Sequence, residues 1–191
     1  MIHRLTRDLT SLMRYEELRE TDLFSFFHFT EVGRRRTPEG FVEVMLKPGG
    51  FQEFIDVSVL IDRSTMVHKG ILLLDRDWVG GPRTINPFGR DLAKSFVEAV
   101  TDPVDKERAS GIVTTLWRIT GSDDIIVRIR DDDRTEPQVT EFLENLVNVY
   151  LGAAQEFSKT LKSTRVSIQN VMDVSRKRLR IEVAHVDSIS E

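Results

Sequence analysis

The sequence predicts an α+β fold, an antiparallel β-sheet built as a meander plus a hairpin, packed by helices and ending in a long C-terminal helix. Ile55, Val57, Val59 and Ile61 alternate with Asp56, Ser58 and Asp62, the period of a strand with one buried and one wet face. Lys47-Pro48-Gly49-Gly50 and Asp62-Arg63-Ser64-Thr65 separate this strand, expected over 51–62, from strand-like runs at 41–46 and 66–75, and both turns are short enough for hairpins. The period then changes. Leu92, Ala93, Phe96, Val97 and Val100 form one helical stripe, with Arg90, Asp91, Lys94 and Glu98 mostly opposite.

The remaining elements follow in chain order. Leu5, Leu9, Leu12 and Met13 predict an amphipathic helix over about 4–20, ended by Thr21 and Asp22. Leu23-Phe24-Ser25-Phe26-Phe27-His28-Phe29 reads as an aromatic strand, bounded by Gly33 and by the turn Thr37-Pro38-Glu39-Gly40. Asn86 and Pro87 provide an N-cap and a first helical residue, opening a helix over about 87–101. After Asp102-Pro103, residues 112–119 and 125–130 predict a second hairpin around Thr120-Gly121-Ser122-Asp123-Asp124. Thr135-Glu136-Pro137-Gln138 has capping-box spacing, and Val139, Leu143, Leu146, Tyr150, Ala153 and Phe157 follow at steps of three and four. Leu161, Ile168, Met172, Leu179 and Val186 would continue that helix to about 178, as a seam able to pair with another helix. The rival is a short strand through Leu179, Ile181 and Val183. Residues 1–163 are expected to form one α+β domain and 164–191 a C-terminal helical extension.

With 191 residues, 40% apolar and 30% charged, the chain has material for one core. Its 27 Lys and Arg against 31 Asp and Glu leave a net charge of −4, no field for gathering nucleic acid. The absence of cysteine excludes disulfides, thiolate nucleophiles and cysteine-held zinc or iron–sulfur centres. Met1-Ile2-His3-Arg4-Leu5 lacks the apolar core of a secretory leader, and no apolar run approaches the roughly 20 residues of a membrane span. A cytoplasmic, non-membrane protein is expected.

Few residues suggest chemistry. Asp75-Arg76-Asp77-Trp78 leaves a strand and runs through Gly80-Gly81-Pro82 to Asn86, so two carboxylates and an amide could gather Mg²⁺ or Ca²⁺. Acidic residues at a strand end are ordinarily solvated, and neither a metal nor a cofactor is expected. His3, His28, His68 and His185 lack ligand spacing; His68, with Asp56 or Asp62 to orient it, is the one candidate general base. There is no Gly-x-Ser-x-Gly turn and no phosphate-binding glycine loop. Arg34-Arg35-Arg36 and Arg176-Lys177-Arg178-Leu179-Arg180 read as a solvated turn and a solvated helix end. The arginine triplet followed by Asp56-Val57-Ser58 superficially resembles the PilZ cyclic-dinucleotide pattern, without its separated second arginine or the glycine after Asp-x-Ser. Phe24, Phe26, Phe27 and Phe29, beside Phe41, Phe51 and Phe54, either fill the core or leave a docking face, which makes the four the partner-binding candidates.

Asn86-Pro87-Phe88 opening a central helix, a hairpin through Trp117 and 125–129, and a long helix from Pro137 give an element order that resembles type III secretion chaperones and the YbjN-type domains sharing their fold. The resemblance covers about 4–163 and implies a dimeric, non-enzymatic, acidic module that binds an extended protein segment. Two functions are carried forward. The first is a protein-binding adaptor or chaperone-like domain, homodimeric, using apolar strand and helix surface. The alternative is a small-molecule-binding or metal-dependent hydrolytic protein with its site at His68, Asp75, Asp77, Trp78 and Asn86.

Overall fold

Residues 13–80, 86–119, 137–173 and 175–186 are described by the computed structural model. Two short helices, α1 (Tyr15–Arg19) and α2 (Asp22–Phe27), precede a meander of β1 (Thr30–Arg36), β2 (Val42–Lys47), β3 (Ile55–Ile61) and β4 (Val67–Asp75). Helices α3 (Arg76–Val79), α4 (Pro87–Val100), α5 (Lys106–Ile119) and α6 (Pro137–Leu151) follow, then β5 (Glu156–Thr160), β6 (Thr164–Asp173) and β7 (Arg176–His185). The strands form one antiparallel sheet in the order β1-β2-β3-β4-β7-β6-β5. The α+β class and the meander are as the sequence predicts.

Burial periodicity overrides residue preference in three places. The aromatic run at 23–29 is not a strand: Leu23, Phe24 and Phe27 lie on the buried stripe of α2, and His28, at φ 53°, ends the helix in the left-handed region. Arg34, Arg35 and Arg36 consequently sit within β1, an edge strand, rather than in a turn. Residues 112–119 belong to α5, where Ile112, Val113, Leu116 and Trp117 recur at helical steps and are buried. With Trp117 helical, the hairpin that contributes to the chaperone-like element order is not formed at 112–119. Its second strand at 125–130, Thr135 and Glu136 of the capping box and most of the helix expected at 4–20 lie outside the described residues.

The long C-terminal helix is also corrected. α6 stops at Leu151, where Gly152 takes φ +80° and donates its N–H to the carbonyl of Val149, 3.1 Å away. The strands β5, β6 and β7 follow instead, and β7 pairs with β4 in the middle of the sheet, Leu179 opposite Leu74 and Ile181 opposite Leu72. The rival strand reading of Leu179, Ile181 and Val183 is the one that holds. Every second residue of β7 reaches the core, and that pull is stronger than the weak helical seam the same residues spell.

The described helices cover one face of the sheet, and Gly70 on β4 sets how closely α4 approaches. A Cβ built there would stand 3.0 Å from Phe96 Cζ and 3.1 Å from both methyls of Val100. Gly70→Ala is expected to destabilise by about 1 kcal/mol, read as a lower urea midpoint at unchanged slope. A midpoint at or above wild type would show that α4 yields without cost.

On the other face, charged side chains pair across the strands: Arg35–Glu43 at 2.5 Å, Lys47–Asp56 at 2.6 Å, Asp56–Arg178 at 2.7 Å and Lys69–Glu182 at 3.0 Å. Leu60, Ile71 and Leu73 are half-buried beside them in the register, Leu60 opposite Lys69, Ile71 opposite Glu182 and Leu73 opposite Asp56.

Candidate functional site

Of the four partner-binding candidates, three are core residues. Phe24, Phe27 and Phe29 are buried, whereas Phe26 points away from the helix stripe and is 71% exposed. It does not stand alone. Phe26 contacts Phe27 with ring centroids 5.0 Å apart, Phe27 meets Phe88 at 5.3 Å, Phe88 meets Phe51 at 5.0 Å, and Phe51 meets Trp78 at 5.6 Å. Phe54 stacks on Trp78 at 5.8 Å, with planes 9° apart. Six rings from α2, the β2–β3 loop, α3 and the first turn of α4 thus form one continuous row.

The loop that supplies Phe51 is held at both ends. Gly49 donates its N–H to the Phe27 carbonyl at 2.9 Å, and a Cβ on Gly49 would lie 2.9 Å from Cβ of His28, so a side chain there would break the junction with α2. Lys47 Nζ donates to the carbonyls of Gln52 (2.6 Å) and Ile55 (3.0 Å), and Gln52 Nε2 to that of Pro48 (2.9 Å). Within this frame Phe51 adopts φ 57°, a region that costs a side-chain-bearing residue about 1–2 kcal/mol. Its ring is 49% exposed, so core burial does not account for a phenylalanine where glycine would be unstrained. Beside the row, α2 and α4 enclose an open groove of about 540 Å³ lined by Asp22, Ser25, Phe26, Phe27, Asp91, Lys94 and Ser95.

The alternative ligand residues are not gathered at one point. Asp75 caps α3, its Oδ1 accepting from the N–H groups of Asp77 (3.0 Å) and Trp78 (3.2 Å). Asn86 caps α4 by accepting from Phe88 (3.0 Å) and Gly89 (3.4 Å), and its Nδ2 donates to the Trp78 carbonyl at 3.2 Å. These are N-capping roles, which satisfy backbone N–H groups left unpaired at a helix start. Asp77 is exposed, and Trp78 belongs to the aromatic row.

His68 is seven residues from Asp75 along β4, roughly 23 Å at about 3.3 Å per residue. It pairs instead with Asp62 at 3.0 Å and lies 5.0 Å from the ring of Phe41. Burial alone would raise the Asp62 pKa, but hydrogen bonds from His68 and from the N–H groups of Met66 and Ser64 hold it below the ordinary aspartate range. Asp56 does not orient His68. Burial opposes its ionisation too, and Lys47 and Arg178 more than offset that, holding its carboxyl below the usual range. Among the described residues, no group of three or more His, Asp and Glu side chains is placed to hold a metal ion.

The basic clusters are tied into the fold. Arg34 binds Glu31 at 2.6 Å and lies over the Tyr15 ring, while Arg176 donates to the Glu53 carbonyl at 3.1 Å. No described helix is long and apolar enough to cross a membrane.

The aromatic count in the sequence pointed to a docking face, but not to its membership. Phe88 reads as the second residue of a helix and Trp78 as a loop residue, and only the meeting of α2, α3 and α4 brings them to Phe51. A scan against protein-family models matches no family, and comparisons with curated proteins and with solved structures match none.

Proposed function

We propose that this chain is a non-enzymatic protein-binding adaptor or chaperone-like module that takes up an apolar segment of a partner protein along the aromatic row. The observation that carries this reading is Phe51, held in the left-handed region with its ring half-exposed and joined through Phe88 and Phe27 to the exposed Phe26. Exposed aromatics held by buried neighbours on fixed backbone lose little entropy on binding, and aromatics are among the residue types that dominate protein interfaces. Ile168, Met172 and Leu179 of the seam that suggested a homodimer lie in strands rather than in a helix, and docking on the aromatic row does not depend on dimerisation.

The test is photo-crosslinking in the native cell, with benzoylphenylalanine at position 26 or 51 and at Val104, 53% exposed after α4, as the control. One discrete adduct shared by 26 and 51 and missing at 104 is expected. No adduct, or the same band from all three positions, would reject the docking surface. Stoichiometric Mg²⁺ or Ca²⁺ in the purified protein would instead favour the ligand reading around Asp75 and Asp77.

A further inference from the structure

We infer that the side chain anchoring the partner in the groove between α2 and α4 is an arginine, laid over Phe26 and held by Asp22, a step that rests on the docking reading above. Asp22 and Phe26 are four residues apart on α2, so the carboxylate and the exposed ring share one helix face a turn apart. Across the groove α4 presents Asp91 and Ser95, also four apart, with Lys94 between them. The groove charges differ in their commitments. Asp91 holds Arg90 at 2.8 Å, and Lys94 faces Glu98 at 3.7 Å, while the Asp22 carboxylate has no ion-pair partner among the described residues.

An aromatic face beside a carboxylate that no described residue pairs is complementary to a guanidinium. The flat cation stacks on the ring while its N–H groups reach the carboxylate two at a time, and the hydroxyls of Ser25 and Ser95 are further acceptors. A wholly apolar anchor would desolvate Asp22 without replacing its water, and an acidic anchor would be repelled by a groove with two carboxylates and one ammonium. Lysine stacks less well and offers no fork of donors. An apolar residue adjoining the arginine then covers Phe51 and Trp78, to which Phe26 is joined through Phe27 and Phe88.

The experiment is an NMR titration of the ¹⁵N-labelled full chain with acetyl-Leu-Arg-Leu-amide, its citrulline and glutamate counterparts, and free spermidine. The arginine peptide is expected to shift the amides of Ser25, Phe26, Lys94 and Ser95, with affinity falling as salt rises. Asp22→Asn should weaken it about tenfold, the share of one charge-assisted hydrogen-bonded pair, and Phe26→Ser should do likewise. Unshifted β3 and β4 amides in both variants show that the fold is intact. Citrulline peptide binding as well as arginine, unchanged affinity in Asp22→Asn, or no shifts at these amides overturns the proposal. Spermidine moving the same amides at least as strongly as the arginine peptide would assign the groove to a free polyamine and equally overturn it. Crosslinks at 26 and 51 without arginine selectivity would sink this inference alone and leave the docking reading standing.

Discussion

Phe96→Ala is expected to cost about 4 kcal/mol, the largest loss from any single change considered. Phe96 is fully buried in the stripe of α4 and lies against Gly70, so it fills the space that the missing β-carbon opens at the sheet centre. Truncation removes an aromatic ring from a site bounded by two regular elements, neither of which can collapse without breaking its own hydrogen bonds. The measurement is urea unfolding, with the loss read from the midpoint at constant slope. A cost below about 1 kcal/mol would mean that α4 settles onto the sheet, contrary to a spacing set at Gly70. Gly70→Ala with Phe96→Ala in one chain offers a further check, since contacting residues give non-additive losses.

Asp105→Ala is expected to cost about 3 kcal/mol, although the residue is neither apolar nor part of the docking surface. Its side chain, 1% exposed, accepts from the N–H of Lys162 at 3.1 Å, the N–H of Ser163 at 2.7 Å and the Ser163 hydroxyl at 3.1 Å. It therefore closes the turn between β5 and β6 from the start of α5, and its removal strands those donors inside the protein. Burial by itself would raise the Asp105 pKa, but the hydrogen bonds from Ser163, Lys162 and Thr164 outweigh it and hold the group below the ordinary aspartate value. A depressed carboxylate contributes stability that is complete above the unfolded value of about 3.9 and is lost as pH falls through the folded one. The gap between wild type and Asp105→Ala should thus be full at neutral pH and narrow below about pH 4. A gap unchanged down to about pH 2 would show that the charge is not what the turn uses.

Asp105 also marks the boundary between what sequence reading reaches and what it does not. Its acceptors' partners are 57 and 58 residues away, and no local pattern joins them. By contrast, every element legible in the sequence is specified by neighbours in the chain. Asn86 and Pro87 start α4 because the cap bonds are two and three residues long, and β2, β3 and β4 pair with their sequence neighbours across the short connections at 48–54 and 62–66. The aromatic run at 23–29 misleads because strand preference describes how a ring fits a half-buried pleat, whereas Leu23, Phe24 and Phe27 bury as a helical stripe.

By itself, then, the sequence determined the α+β class, the meander, the capped central helix and the exclusion of cysteine chemistry, because alternation, caps and composition are local or global sums. The C-terminal strands, the helical state of 112–119 and the six-ring row were decided only by tertiary structure. Each depends on which face of a segment meets a core assembled from distant parts of the chain, and that core selects among conformations whose local preferences are nearly balanced.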